Sequence, residues 1–132
     1  MADKISFDLV SPEKLLLSEE AVMVTIPGTE GEMGVMAGHA PVITTLRPGA
    51  IRVSGGSSQV DTYFVAGGFA EINASKITVL AEEAIPLLEL DAAALELRIA
   101  AVTATLEAVK LESDRIKAQQ VLDFLYTLRT AH

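Results

Sequence analysis

Two histidines and two pairs of adjacent glutamates are the residues of this sequence best suited to acid–base chemistry. His39 lies in the segment Gly-His-Ala-Pro, and His132 is the last residue. Neither has a carboxylate or cysteine partner nearby in sequence for metal binding or nucleophilic catalysis. The pairs Glu19-Glu20 and Glu82-Glu83 are each adjacent, and neighbours on a strand point to opposite faces. The sequence therefore predicts solvated acidic surfaces and no catalytic site.

The glycine-rich segment Gly28–Gly38 has the composition of a phosphate-binding loop but lacks its chemistry. It does not end in Gly-Lys-Ser/Thr, and it contains neither lysine nor arginine. Glu30 and Glu32 lie within it, and their carboxylates would repel a phosphate. Because glycine permits sharp turns, turning of the backbone explains the segment better than nucleotide binding. No metal and no other cofactor is expected.

Composition restricts the class of protein further. The 132 residues include no cysteine, so disulfides and thiolate metal sites are excluded. The net charge of −8, which comes mostly from acids before position 91, argues against a nucleic-acid partner. No apolar run is long enough to cross a bilayer, and the first residues resemble neither a signal peptide nor a transit peptide. We expect a soluble bacterial protein of one domain or two small ones.

The period of the first two thirds of the chain is that of β-strands. Apolar residues alternate with polar ones from Ile5 to Leu9, and the pattern recurs at Val22–Ile26, Val60–Phe64 and Ile77–Val79. Many short strands separated by turns predict an antiparallel β-sandwich or flattened barrel and not a parallel sheet. Gly67-Gly68 predicts a bulge or a close backbone approach. The predicted turns are Ser11-Pro12, Pro27-Gly28, Pro48-Gly49, Gly55-Gly56 and Asn73-Ala74-Ser75.

After Pro86 the period changes to that of helices. Asp91 is the predicted N-cap of a first helix and Ser113 that of a second. Two short helices with a short connection predict an antiparallel hairpin, since neither would persist alone in water. The expected fold class is α+β, with a β-sandwich at residues 1–86 and a helical hairpin at 87–132. The apolar stripes are Leu95, Ile99, Val102, Leu106 and Val109, then Ala118, Val121, Leu125 and Leu128.

Four segments carry a family resemblance. They read IPGTEGEMGVMAGHAPVITT from Ile26, LRPGAIRV from Leu46, VAGGFAEI from Val65 and ITVLAE from Ile77. Together they resemble the epsilon subunit of the bacterial rotary ATP synthase, the counterpart of the mitochondrial delta subunit. The resemblance covers the first two thirds closely and the last third in layout.

This resemblance implies a non-catalytic subunit of a proton-translocating ATP synthase. The sheet domain would contact the gamma stalk and the polar loops of the membrane ring of c subunits, and so couple ring to shaft. The helical hairpin would lie folded or extend into the catalytic alpha/beta head, where it hinders ATP hydrolysis. The location implied is peripheral, on the cytoplasmic face of the inner membrane, without insertion into the bilayer. The alternative is a stand-alone β-sandwich that binds an unrelated ligand, which would not co-purify with an ATPase.

The predicted contact residues for the stalk and ring are Glu30, Glu32, Met36 and His39. Turns rich in glycine allow close approach, methionine adapts its shape, and the polar residues supply specificity. The resemblance places the positions of Glu32 and His39 towards the ring and the stalk. One alternative stays open, in which Met33 and Val35 face the core and only polar side chains contact partners.

The resemblance also assigns a regulatory role to basic residues of the second helix, here Arg115, Lys117 and Arg129. Because acids share the segment, its charge is close to neutral, and the expected inhibition is weak or needs another partner. Some family members bind ATP through a motif that opens the first helix. Here Ala94 and Leu95 occupy its Arg and Ala positions, so weak or absent ATP binding is expected.

Overall fold

The computed structural model of the chain describes residues 3–56 and 61–131, with side chains as far as Arg129. The chain forms two compact units, Met1–Pro86 and Leu87–His132. The predictions for Val60 and His132 lie outside the described residues. In those described, the first unit has ten strands: β1 (Ile5–Val10), β2 (Leu15–Ala21), β3 (Met23–Gly28), β4 (Gly31–Met36), β5 (Val42–Leu46), β6 (Gly49–Ser54), β7 (Thr62–Val65), β8 (Gly68–Ile72), β9 (Lys76–Ala81) and β10 (Ala84–Pro86).

These strands form one hydrogen-bonded sheet. Their order is β10-β7-β6-β3-β5-β8-β9-β1-β2, with β4 paired to β3. The paired strands are antiparallel except β1 and β9, which run parallel. The two halves of the sheet join at β3, which pairs with β6 over Met23–Thr25 and with β5 at Gly28. The predicted β-sandwich followed by a helical hairpin is confirmed, with one parallel pair that the sequence did not predict.

Alternate apolar side chains from both halves of the sheet make one core. Ile5, Phe7 and Leu9 of β1 are fully buried, and so are Val24 and Ile26 of β3. They belong to one cluster that also includes residues of β4 to β9, so the sheet curls around its own core. Burial of each large side chain contributes about 2 kcal/mol. The period-2 pattern predicted these residues correctly.

Two details of the strand pattern were wrong. Pro27-Gly28, predicted as a turn, lies inside β3, and the turn falls at Thr29–Glu30 because Gly28 pairs with Gly31. A proline is tolerated there because β3 leaves β6 after Thr25, so its nitrogen has no ladder partner to lose on that side. Val22 was grouped with the strand but lies before β3, half-buried.

The close approach predicted at Gly67-Gly68 is confirmed. Gly68 has a φ of +133°, and a Cβ there would lie 2.1 Å from the carbonyl oxygen of Leu80. Gly68 is paired on both sides, with Leu46 of β5 and Ala81 of β9. The absence of a side chain is what allows the three strands to meet.

The second unit begins with a 3₁₀ turn at Leu87–Glu89 and continues as α1 (Ala92–Ala108) and α2 (Glu112–Ala131). Asp91 is the N-cap of α1, as predicted, because its Oδ1 accepts a hydrogen bond of 2.9 Å from the Ala94 N–H. The two helices pack on each other. Their buried residues are Leu95, Ile99, Ala118, Val121, Leu122 and Leu125.

The boundary between the helices differs from the prediction. Ser113 is not an N-cap, because α2 already begins at Glu112 and the Leu111 carbonyl accepts the Arg115 N–H at 3.0 Å. Acids in the first turn favour this start, since they complement the positive end of the helix dipole. Val109, predicted on the apolar stripe, is the C-cap of α1 with extended backbone.

Candidate contact surfaces

His39 and the two glutamate pairs lie on different elements of the sheet unit. His39 is half-buried, and its Nδ1 lies 2.7 Å from the Ala40 carbonyl oxygen, which can only accept, so Nδ1 donates. On β2 the alternation predicted for Glu19-Glu20 holds, with one side chain half-buried and the other exposed. Glu82-Glu83 lie in the turn between β9 and β10, both exposed, and not on a strand. The described residues contain no group of three or more His, Asp or Glu placed to hold a metal ion.

The four predicted contact residues extend along β4 and past both its ends. Glu32 and Met36 are exposed, and their even spacing puts them on the outward face of the strand. Glu30 is exposed in the turn before β4, and His39 follows the strand after Gly38. At about 3.3 Å per residue, Glu32 and Met36 are roughly 13 Å apart. Glu32 and Met36 therefore share the outward face of β4, and Glu30 and His39 lie beyond its two ends.

The inward face of β4 belongs to the core. Val35 is fully buried, and Met33 is half-buried against the core cluster. The alternative left open by the sequence is thus correct for Met33 and Val35. Met36, which that alternative leaves out of the contact, is 50% exposed, and its role as a contact residue stays a prediction. The outward face of β4 offers both apolar and charged contact.

Glu32 forms an ion pair that the sequence did not predict. Its Oε2 accepts a hydrogen bond of 3.1 Å from Nη1 of Arg52 on β6. Both side chains are more than half exposed. The pair reaches across β3, which lies between β4 and β6.

An apolar row on the outward face of the other half of the sheet was also missed. Phe69 of β8 pairs with Leu80 of β9, which pairs with Val10 of β1, which pairs with Leu15 of β2. Phe69, Leu80 and Leu15 are 45%, 38% and 56% exposed. Ile43 of β5 is 74% exposed and lies two residues from Thr45, the partner of Phe69. We call Leu15, Ile43, Phe69, Leu80 and Val10 the apolar row.

A polar row borders the apolar row. It consists of Glu71, Thr78, Asp8 and Ser18, which follow one another across β8, β9, β1 and β2. The Ser18 hydroxyl donates to Asp8 at 2.7 Å, and Lys76 Nζ lies 3.1 Å from the same carboxylate. These contacts, the Ser18 bond above all, hold the pKa of Asp8 below its usual range. Apolar residues edged by polar ones are typical of a protein contact surface.

The basic residues predicted to regulate the enzyme differ in their surroundings. Arg129 on α2 donates to both carboxylate oxygens of Glu96 on α1, at 2.7 and 2.5 Å. Arg115 lies 4.0 Å from Glu112 in its own helix, at the limit of an ion pair. Lys117 is half-buried and already has an interaction within the chain. In this state Arg129 is engaged inside the hairpin.

The fold and its exposed rows define a class of protein, a small β-sandwich and helical-hairpin subunit with an apolar surface of the kind that another protein covers. A family model described as the ATP synthase delta/epsilon chain, β-sandwich domain, matches residues 4–87. The ATP synthase epsilon chain of Parvibaculum lavamentivorans is 50% identical over 129 residues, which is 98% of each chain. That of Paramagnetospirillum magneticum is 50% identical over 122 residues, 92% of each.

Solved structures agree. A chain in the Euglena gracilis mitochondrial ATP synthase is 31% identical with a TM-score of 0.74, covering 97% of this chain and 81% of that one. A chain in the Tetrahymena thermophila mitochondrial ATP synthase is 13% identical with a TM-score of 0.72, covering 96% and 97%, and shares the fold. This protein belongs to the ATP synthase delta/epsilon family and is a non-catalytic subunit of the central stalk. No helix of the described part is long and apolar enough to cross a membrane.

Proposed function

We propose that this chain joins the ring of c subunits to the gamma shaft of the ATP synthase, so that both turn together. The single observation that carries this proposal is the apolar row. Four of its side chains are exposed, and they lie on five adjacent strands together with half-buried Val10. A contiguous exposed apolar patch of this kind is typical of a surface that another protein covers.

The proposal assigns the apolar row to the gamma shaft and the outward face of β4 to the polar loops of the ring. The two surfaces lie on different halves of the sheet. The apolar row lies on the half formed by β5, β8, β9, β1 and β2, and the β4 face lies on the half that contains β3 and β6. A coupling subunit needs two separate surfaces, because it must hold both partners at once. The row supplies apolar area, and Glu32 with Met36 supplies a mixed surface suited to a polar loop.

The proposed location follows from these contacts. The subunit would lie at the cytoplasmic face of the coupling membrane, held by the ring and the shaft and not by insertion into the bilayer. Regulation of ATP hydrolysis by α2 is a second part of the proposal, which the basic residues Arg115, Lys117 and Arg129 support. The Arg129–Glu96 contact argues that such inhibition is weak while the hairpin stays closed.

Replacing Phe69 by Asp tests the assignment of the apolar row. The side chain lies outside the core, so the variant should fold, which circular dichroism of the purified chain checks. A buried charge at the centre of an interface costs about 2 kcal/mol or more, so binding to the shaft should weaken by roughly thirtyfold. The measurement is the amount of the chain that co-purifies with the assembled ATP synthase.

Leu88→Asp is the matched control, since Leu88 is 78% exposed and does not belong to the apolar row. It introduces the same charge and should leave co-purification unchanged. Undiminished recovery of a folded Phe69→Asp variant would remove the row from the proposed interface.

A further inference from the structure

The ion pair between Glu32 and Arg52 joins two strands that are not neighbours, because β3 lies between them. Arg52 lies opposite Thr25 of β3, and Glu32 lies opposite Pro27, so the two side chains meet diagonally over the intervening strand. Neighbouring strands are about 4.8 Å apart, so β4 and β6 are separated by roughly 10 Å. Both side chains must extend towards each other to reach 3.1 Å.

Stability does not account for the pair. Exposed ion pairs contribute little to folding, because water screens them and two long side chains lose freedom. The ion pair has a stronger effect on the orientation of the Glu32 side chain than on stability. A free glutamate samples many rotamers, and fixing one of them on binding costs affinity, a cost that disappears when the side chain is already held.

One carboxylate oxygen of Glu32 remains available. Arg52 binds Oε2, and within the described part of the chain Oε1 makes no hydrogen bond. The oxygen that Arg52 leaves unused can accept from a donor on a partner. We infer that Arg52 is a positioning residue, which holds Glu32 so that its Oε1 meets a basic or N–H group on a polar loop of the ring. This inference rests on the proposed contact between β4 and the ring.

The test uses membrane vesicles whose ATP synthase has been stripped of this subunit and then supplied with the full-length chain. The measured quantity is the chain concentration that restores half of the ATP-driven proton pumping. Glu32→Gln and Arg52→Gln should each raise it by roughly three- to tenfold, the range expected for losing one preordered side chain. The double variant should raise it no further than either single change, because both act through one contact. Arg52→Lys should recover part of the loss.

Arg47→Gln is the matched control, because it removes an exposed arginine of the same sheet unit, whereas the ion pair of Glu32 is with Arg52. It should leave the half-restoring concentration unchanged. The charge-reversed double variant Glu32→Arg with Arg52→Glu keeps an ion pair but inverts it. It should therefore melt like the wild type and yet fail to restore pumping at wild-type concentrations.

The outcomes separate the inference from the proposal beneath it. If Glu32→Gln has no effect, the proposed contact between β4 and the ring is wrong, and so is the positioning role of Arg52. If Glu32→Gln weakens restoration while Arg52→Gln does not, the contact stands and the positioning role is overturned. Additive effects in the double variant would mean that Arg52 binds the partner by itself, which also overturns it. Full restoration by the charge-reversed pair would show that only the bridge within the subunit matters.

Discussion

Arg129, near the end of α2, binds Glu96, near the start of α1, through both oxygens of the carboxylate. The guanidinium carbon also lies 5.3 Å from the centre of the Tyr126 ring, a cation–π contact. The helices are covalently linked at the other end of the hairpin, through Val109–Leu111. The ion pair therefore closes the open end of the hairpin. Its hydrogen bonds lower the pKa of Glu96 and raise that of Arg129.

Replacing Glu96 by Gln should loosen the last turn of α2. The amide would keep one weak hydrogen bond to Arg129 but lose the charge and the bidentate geometry. Amide hydrogen exchange near Thr127 should therefore become faster than in the wild type. Glu112→Gln is the control, because its pair with Arg115 lies within one helix. Equal exchange rates in the wild type and in Glu96→Gln would show that the pair does not hold the helices together.

The same pair has a pH dependence whose sign is fixed. The pKa of Glu96 is lower in the folded hairpin than in the unfolded chain, because Arg129 stabilises the carboxylate. The stabilisation is present above the ordinary pKa of a glutamate and is lost as the pH falls through the lowered, folded value. Protection of the α2 end in the wild type should therefore decrease in acid, and that of Glu96→Gln should change less.

Deleting all residues after Lys110 should raise ATP hydrolysis by the reconstituted enzyme by less than tenfold. Arg129 is engaged by Glu96, and acids accompany Arg115 along α2, so attraction to an acidic catalytic surface is weak. A tenfold rise corresponds to about 1.4 kcal/mol. The steady-state ATPase rate of the two enzymes is the measurement, and a larger rise would mean that the hairpin inhibits strongly.

Two glycines of nearly equal φ offer a matched test of the close approach in the sheet. Gly68 has φ +133° and Gly31 has φ +136°, but only Gly68 has backbone within reach of an added Cβ. Gly31→Ala should lower the free energy of unfolding by about 1–2 kcal/mol through backbone strain. Gly68→Ala should cost roughly 3 kcal/mol or more, since Leu80 must also move. Chemical denaturation measures both, and equal losses would contradict the steric account.

Ser18→Ala should raise the pKa of Asp8. The Ser18 hydroxyl is the largest cause of the lowered value, followed by Lys76. Because the folded pKa is lowered, Asp8 stabilises the sheet above its ordinary pKa and loses that contribution as the pH falls through the folded value. Titration followed by the carbon NMR signal of the carboxylate measures the shift. Lys4→Gln, which removes an exposed charge elsewhere, should leave the pKa of Asp8 unchanged.

The sequence predicted those features that depend on neighbours along the chain. Alternation identified the core residues of β1 and β3, and the cap at Asp91 marked the start of α1. Predictions for single residues were wrong where pairing between distant strands determines the structure. Pro27 is an example, since it continues a strand because β3 changes partners there. Patterns among neighbouring residues specify the period of an element and its caps. Where a strand ends and which residues face each other depend on the register between strands.

The missed surfaces have the same explanation. Glu32 and Arg52 are 20 positions apart and Glu96 and Arg129 are 33 apart, so no local pattern links them. The apolar row had a visible signal in adjacent apolar residues on one strand, of which one must face outward. Such pairs are Leu9-Val10, Val42-Ile43 and Val79-Leu80. Whether outward residues of different strands line up depends on the register, which one sequence does not provide.

The parallel pairing of β1 with β9 has a consequence for how the chain is made. Phe7 pairs with Ile77, so β1 leaves the ribosome long before β9 and acquires its second neighbour only when most of the sheet unit has been synthesised. Until then one edge of β1 remains open, and closing so long a loop slows folding. A nascent chain that stops before Lys76 would therefore expose an apolar strand edge, which is a site for aggregation and for chaperone capture.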